Sequence, residues 1–306
     1  MEGYFWRITD TSTGRVVVAL CGLNRHPDGD WATVAVASHP EERVVTAAVK
    51  DAWASGQELA LHVGTSMHAT DRSLDVDLGP RAELHVHFDG QFHWPMRLGG
   101  GGVFSAVPFL NQYWHPHMLG GRATGHVVID GHRTELVGAD VYAEKNWGRG
   151  FPLSWWWGQA QGFSRPDVCV AFTGGVLSLG PVAATVGGAV VRFGDQVLRF
   201  APPLAVVHSE TDGEQWQVQA RRGATSVIID AHVDPAVAPA LLPVPDPASR
   251  RQGLTDLEHL VGHLDLTVHR HGRVLLRDST ELAGLEIGYR PDGAALSGWG
   301  SQTAPT

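Results

Sequence analysis

Valine-rich runs recur between turn residues from Tyr4 to Phe92: Arg15 to Leu20, Trp31 to Ala37, Val44 to Val49, Glu58 to Val63, Ser73 to Leu78 and Glu83 to Phe88. Short strands at this spacing predict a barrel or sandwich. The segments Ser73-Leu74-Asp75-Val76-Asp77-Leu78 and Glu83-Leu84-His85-Val86-His87-Phe88 alternate strictly. Alternation puts leucine, valine and phenylalanine on a buried face and the acids and histidines on the other. Asp89-Gly90 and Asp130-Gly131 read as tight hairpin turns, because such turns need positive φ angles. Gly99 to Gly102 form a run of glycines that reads either as a linker or as a mobile lid.

The second half repeats the pattern. Val168 to Thr173, Ala184 to Phe193, Val197 to Phe200, Leu204 to Ser209, Gln215 to Ala220 and Ser226 to Asp230 read as strands, with Gly194-Asp195 and Asp212-Gly213 as turns. Pro235 to Pro247 breaks the run, and Leu254 to His263 reads as a short helical turn or irregular segment. Strands are expected again at Leu264 to His269, Val274 to Asp278 and Thr280 to Leu285, with a frayed tail from Ser297. No helix long enough for a parallel βαβ sheet is predicted, so the fold class is all-β.

One stretch departs from this regularity. Val141 to Gln159 holds four of the chain's 11 tryptophans (Trp147, Trp155, Trp156 and Trp157) beside Glu144, Lys145 and Asn146. Neither a plain core strand nor a solvent loop selects that mixture, which suits the wall of an apolar cavity with a few placed polar groups.

The run Ala143-Glu144-Lys145-Asn146-Trp147-Gly148, followed by Phe151-Pro152 and a tryptophan cluster ending at Gln159, resembles the tocopherol cyclase family. Glu2-Gly3-Tyr4-Phe5-Trp6-Arg7 is similar to the family's opening motif. Pro108 to Pro116 is similar to its central motif, and Glu281 to Glu286 to its closing strand. The resemblance implies two lipocalin-like β-barrels or sandwiches, residues 1–150 and 151–306, with a cavity near their junction. It also implies closure of a chromanol ring: an acid protonates a prenyl alkene and a phenol oxygen attacks the tertiary cation. Such chemistry needs no cofactor. It needs a proton donor in a dry site and gains from aromatic faces that stabilise positive charge.

Composition narrows the partners. With 306 residues the chain can bury a large core, and 37 glycines with 18 prolines fit frequent turns. The net charge of −9 and scattered basic residues leave no electrostatic footprint for nucleic acid or an anionic membrane. The expected partner is a hydrophobic small molecule. Cys21 and Cys169 sit in apolar runs and read as buried free thiols of a reducing compartment. There is no signal-like N-terminus and no run near the ~18 apolar residues of a spanning helix. The chain is expected to be cytoplasmic, with peripheral membrane contact as a route to a greasy substrate.

Candidate residues follow. If Asp140 to Trp147 is extended, Asp140, Tyr142, Glu144 and Asn146 share one face, and Val141, Ala143, Lys145 and Trp147 the other. Glu144 is the expected proton donor and Asp140 the next, with Asn146 and Tyr142 orienting it and His115 nearby. The plainer alternative makes Glu144 and Lys145 a solvated pair. Trp6, Tyr113, Trp114, Lys145, Trp147, Trp155, Trp157 and Gln159 are the expected substrate contacts. Trp155 and Trp157 share a strand face that Trp156 does not, so only part of the cluster can line one cavity. His85-Val86-His87 and His115-Pro116-His117 lack a cysteine or carboxylate at ligand spacing, and no metal is expected. Phosphate loops, dinucleotide fingerprints and nucleophile elbows are absent from the sequence. A lipocalin-like carrier, and a pericyclic or hydration enzyme on the same scaffold, stand beside the cyclase reading.

Overall fold

The computed structural model describes residues 1–25, 27, 29–108, 110–179, 182–246 and 251–289. Within these, the alternating runs form three antiparallel sheets. Twelve strands make the first: β1 (Glu2–Asp10), β2 (Arg15–Asn24), β3 (Trp31–His39), β4 (Arg43–Val49), β5 (Ala52–Ala54), β6 (Ala60–Val63), β7 (Met67–Thr70), β8 (Ser73–Asp77), β9 (Ala82–Asp89), β10 (Gln112–Met118), β11 (Arg122–Ile129) and β12 (His132–Gly148). Their order is β4-β3-β2-β1-β12-β11-β9-β8-β7-β6-β5, with β10 also paired to β12. The sheet curls so that residues from both ends, such as Val45 and Leu61, share one core with Trp6, Val141 and Ala143. This nearly closed barrel is filled by its own side chains.

A seven-stranded sheet follows, built from β13 (Ser154–Ala160), β14 (Cys169–Leu179), β15 (Val182–Phe193), β16 (Gln196–Phe200), β20 (Ala240–Asp246), β21 (Arg251–His259) and β24 (Ala283–Tyr289). Five strands form the third: β17 (Val206–Thr211), β18 (Gln215–Arg222), β19 (Thr225–His232), β22 (His263–Arg270) and β23 (Arg273–Thr280). The last two sheets enclose a second core, with Trp156, Phe172 and Trp216 inside. The architecture is all-β and lipocalin-like, and among the described residues no helix is long and apolar enough to cross a membrane.

Several sequence expectations change. The proline-rich segment ends in β20, an edge strand of its sheet, where Pro243 falls at a register shift between Leu242 and Val244; edges and bulges tolerate proline because a missing N–H costs no ladder bond there. The segment expected as a short helical turn or irregular stretch, Leu254 to His263, falls largely in β21, and its pattern is inverted: Asp256 and Glu258 face inward while Leu257 is half-exposed. Asp89-Gly90 closes no hairpin, because β9 pairs with β8 and β11. Asp130-Gly131 does join β11 to β12, with positive φ at both residues. Phe109, Pro247 and the tail from Ser297 lie outside the described residues.

Candidate active site

Strand parity builds the site from two facing surfaces. On the first sheet, Tyr4, Trp6 and Ile8 point into the barrel, which turns Phe5 and Arg7 outward. On β12, Val141 and Ala143 go inward, so Tyr142, Glu144 and Asn146 turn out beside Phe5. On the second sheet, Trp155, Trp157 and Gln159 share one face of β13, with Gly284, Glu286 and Gly288 opposite them on β24. Asp256 and Glu258 of β21 continue that face, paired with Gly288 and Glu286. The largely apolar cavity lies between these surfaces, and Phe5, Trp114, Glu144, Trp155, Trp157, Asp256 and Glu286 are among its walls.

Glu144 is buried and accepts four hydrogen bonds. Trp114 Nε1 (2.8 Å), Tyr142 Oη (2.6 Å) and Trp157 Nε1 (2.9 Å) donate to Oε2, and Asn146 Nδ2 (3.1 Å) donates to Oε1. Burial pushes its carboxyl above the ordinary value while the four donors pull it back. Phe5 packs edge-on against Trp157, with ring centroids 5.2 Å apart.

A second acidic group, unforeseen from sequence, faces it. Trp155 Nε1 donates to Glu286 Oε1, and the Asp256 and Glu286 carboxyl groups act on each other. Burial first, then neighbouring carboxylates, drives Asp256 and Glu258 well above the carboxylate range. Glu286 is pushed up to about 7. Arg7 supplies the compensating cation. Its guanidinium donates to the carbonyls of Leu260 (2.7 Å) and Leu282 (2.9 Å), to Thr9 Oγ1 (2.8 Å) and to Gln159 Oε1 (3.3 Å), and burial lowers it to about 10. It thereby ties the first sheet to the second. The signal that could have revealed Glu286 is a lone acid in an otherwise apolar closing strand.

Of the expected residues, Tyr113, Trp114, Glu144, Asn146, Trp155 and Trp157 line the cavity. Tyr142 reaches it through Glu144. Trp6 does not: odd and even positions of β1 face opposite ways, and Trp6 belongs to the barrel core. Lys145 pairs with Glu2 (2.8 Å) and lies 4.7 Å over the Tyr4 ring rather than joining Glu144, from which parity separates it. Trp147 stacks on Tyr113 outside the lining, and Gln159 is occupied by Arg7 and Cys169. Asp140 shares the face of Glu144 but pairs with Arg122 (2.6 Å), away from the cavity. His115 packs against Trp94, and burial lowers its pKa. Trp156 fills the second core. Both cysteines are buried and free. On the barrel's outer face, cross-strand pairing brings His85, His126 and Glu83 together, with ligand atoms within 4.8 Å of one another; none lines the cavity.

The glycine run is packed against the same wall. A Cβ on Gly100 would lie 2.5 Å from the Trp114 ring, and Arg199 holds the Leu98 carbonyl (2.8 Å). Gly101, Phe104 and Ser105 complete that side of the cavity.

Fold and site together define an all-β, lipocalin-like protein with an apolar, carboxyl-bearing cavity between two sheet faces. Kievitone hydratase from Nectria haematococca has the same fold (11% identity, TM-score 0.55, covering 97% of this chain and 89% of that one). So does CghA bound to Sch210972 (12% identity, TM-score 0.57, 94% and 88%). The sequence profile of the tocopherol cyclase-like family matches residues 94–289, and the chain belongs to that family. The match takes in Glu144, Asp256 and Glu286 and leaves out Glu2, Phe5 and Arg7. The protein named probable tocopherol cyclase, chloroplastic, of Oryza sativa subsp. japonica is 37% identical over 109 residues, 36% of this chain and 21% of its own length. The tocopherol cyclase of Zea mays is 34% identical over 114 residues, 37% and 22%. The aligned part thus spans about a fifth of these curated relatives.

Proposed function

We propose that the chain is a cofactor-independent cyclase that closes a ring on a prenylated phenol or quinol, or on a terpenoid, by alkene protonation and intramolecular attack. One observation carries the reading: buried carboxyl groups, held by indole N–H donors, sit in an apolar cavity whose walls are aromatic. Burial keeps protons available on carboxyl groups at neutral pH. Exclusion of water protects the tertiary cation, and the faces of Trp155 and Trp157 favour its charge. Family membership supports the same chemistry.

The test is conversion of a panel of prenylated hydroquinones in D2O. Ring closure predicts a cyclised product carrying one solvent deuteron at the former alkene carbon. Recovery of the ligand unchanged would leave a carrier, and a cyclised product without deuterium a pericyclic enzyme. Glu144→Gln keeps shape but removes the ionisable group, so ligand affinity should survive while turnover falls ~10²-fold or more.

A further inference from the structure

The buried carboxyl groups that line the cavity are of two kinds, apart from the half-buried Glu2 held by Lys145, and their partners differ in a way that sorts acid from base. Glu144 receives four donors, which is the environment of an ionised carboxylate. Asp256 and Glu286, on the neighbouring strands β21 and β24, receive one indole N–H between them and otherwise face each other's carboxyl. Asp256 Oδ1 has no hydrogen-bond partner. Two ionised carboxylates only accept and repel each other, so buried neighbours with a single donor between them are stable when one of the two carries a proton. Both residues line the cavity.

We infer that the Asp256–Glu286 pair holds the proton delivered to the substrate alkene, and that Glu144 is the base that takes the phenolic proton. The assignment rests on the ring-closure reading of this cavity. The charges around the pair favour it. Glu144 faces it from β12 and adds negative charge that holds the shared proton, while Glu258, beside it on β21, is itself pushed well above the carboxylate range by burial. The nearest cation, Arg7 on β1, is set against Glu258. Trp155 and Trp157 fix the spacing: two residues apart on β13, ~7 Å along the strand, one indole holds Glu286 and the other Glu144.

The step balances. The shared proton forms a C–H bond at the less substituted alkene carbon as the π bond breaks, leaving a tertiary cation. A lone pair of the phenol oxygen then forms the C–O bond, and the phenolic proton passes to Glu144. Between turnovers Glu144 releases its proton and the pair takes one from solvent.

Two readouts separate this assignment from the reading it rests on. Difference infrared spectroscopy of the resting protein near neutral pH should show the carbonyl band of an un-ionised carboxyl. The component of that band that belongs to the pair should be lost or shifted in Glu286→Gln and Asp256→Asn and kept in Glu144→Gln and in Glu258→Gln, which removes only the contribution of the neighbouring buried acid. In turnover, Glu286→Gln and Asp256→Asn should each lower kcat ~10²-fold or more with KM little changed. Residual activity of Glu286→Gln should lose its decline above about pH 7, and that of Glu144→Gln its decline at acid pH. A band that disappears in Glu144→Gln, or wild-type turnover in Glu286→Gln or Asp256→Asn, overturns the assignment. Absence of a cyclised product from the wild-type protein counts instead against ring closure itself, while the infrared band still reports where the proton sits.

Discussion

Trp155 and Trp157 line the cavity and direct their N–H groups at carboxyl oxygens. Phenylalanine at position 157 keeps a face but loses a donor to Glu144. Trp157→Phe should therefore lower kcat by roughly tenfold or less, about 1 kcal/mol, as measured on the substrate that wild type converts. The buried acids also leave a mark on stability. A carboxyl whose folded pKa exceeds its unfolded one binds more protons in the folded state across the interval between the two, so stability falls as pH rises through it. For Glu286 that interval runs from the ordinary value of 4.5 to about 7. Denaturant titrations across it should show wild type losing stability as pH rises, and Glu286→Gln losing less. A steeper loss in the variant would contradict the raised value.

Adjacent strands make these side chains possible. Gly288 stands opposite Trp155 across the β13–β24 pairing, and a Cβ there would meet the indole at 2.0 Å. The ring lies over that glycine, which is how its N–H reaches Glu286 two positions back. Gly288→Ala has to displace the indole, and the expected result is loss of turnover with a retained far-UV spectrum and a changed near-UV tryptophan signal. Legibility follows the same elements. β13 could be read because its tryptophans alternate in a way parity resolves, and the outward face of β12 could be read from Asp140 to Asn146. β21 could not, because Asp256 and Glu258 occupy the positions where apolar residues mark a buried face. Trp6 was misplaced for a related reason: the motif Glu2 to Arg7 shows which residues occur together but not which way each points. Parity alone does not distinguish the barrel interior from the cavity.

At the scale of the whole molecule, we propose that the chain divides into two units at about residue 150, joined across the cavity. Arg7 is the buried cation among the polar links between them, which also include Trp157 to Glu144 and Arg199 to Leu98. Removing one partner of a buried charge set leaves the rest uncompensated, so Arg7→Met should destabilise the protein by about 3–5 kcal/mol in chemical denaturation. Pairing it with Glu258→Gln should recover part of that loss, which a double-mutant cycle would measure. The link also has a history during synthesis. The acceptors of Arg7 at Leu260 and Leu282 lie 253 and 275 residues further along the chain. At the usual pace of translation, roughly 5–20 residues per second, the first sheet, complete at Gly148, waits ~6–27 s for them. Throughout that wait its outer face carries a hydrated guanidinium amid aromatic rings. The same cation that later latches the halves together thus shields the nascent sheet from docking on the wrong neighbour.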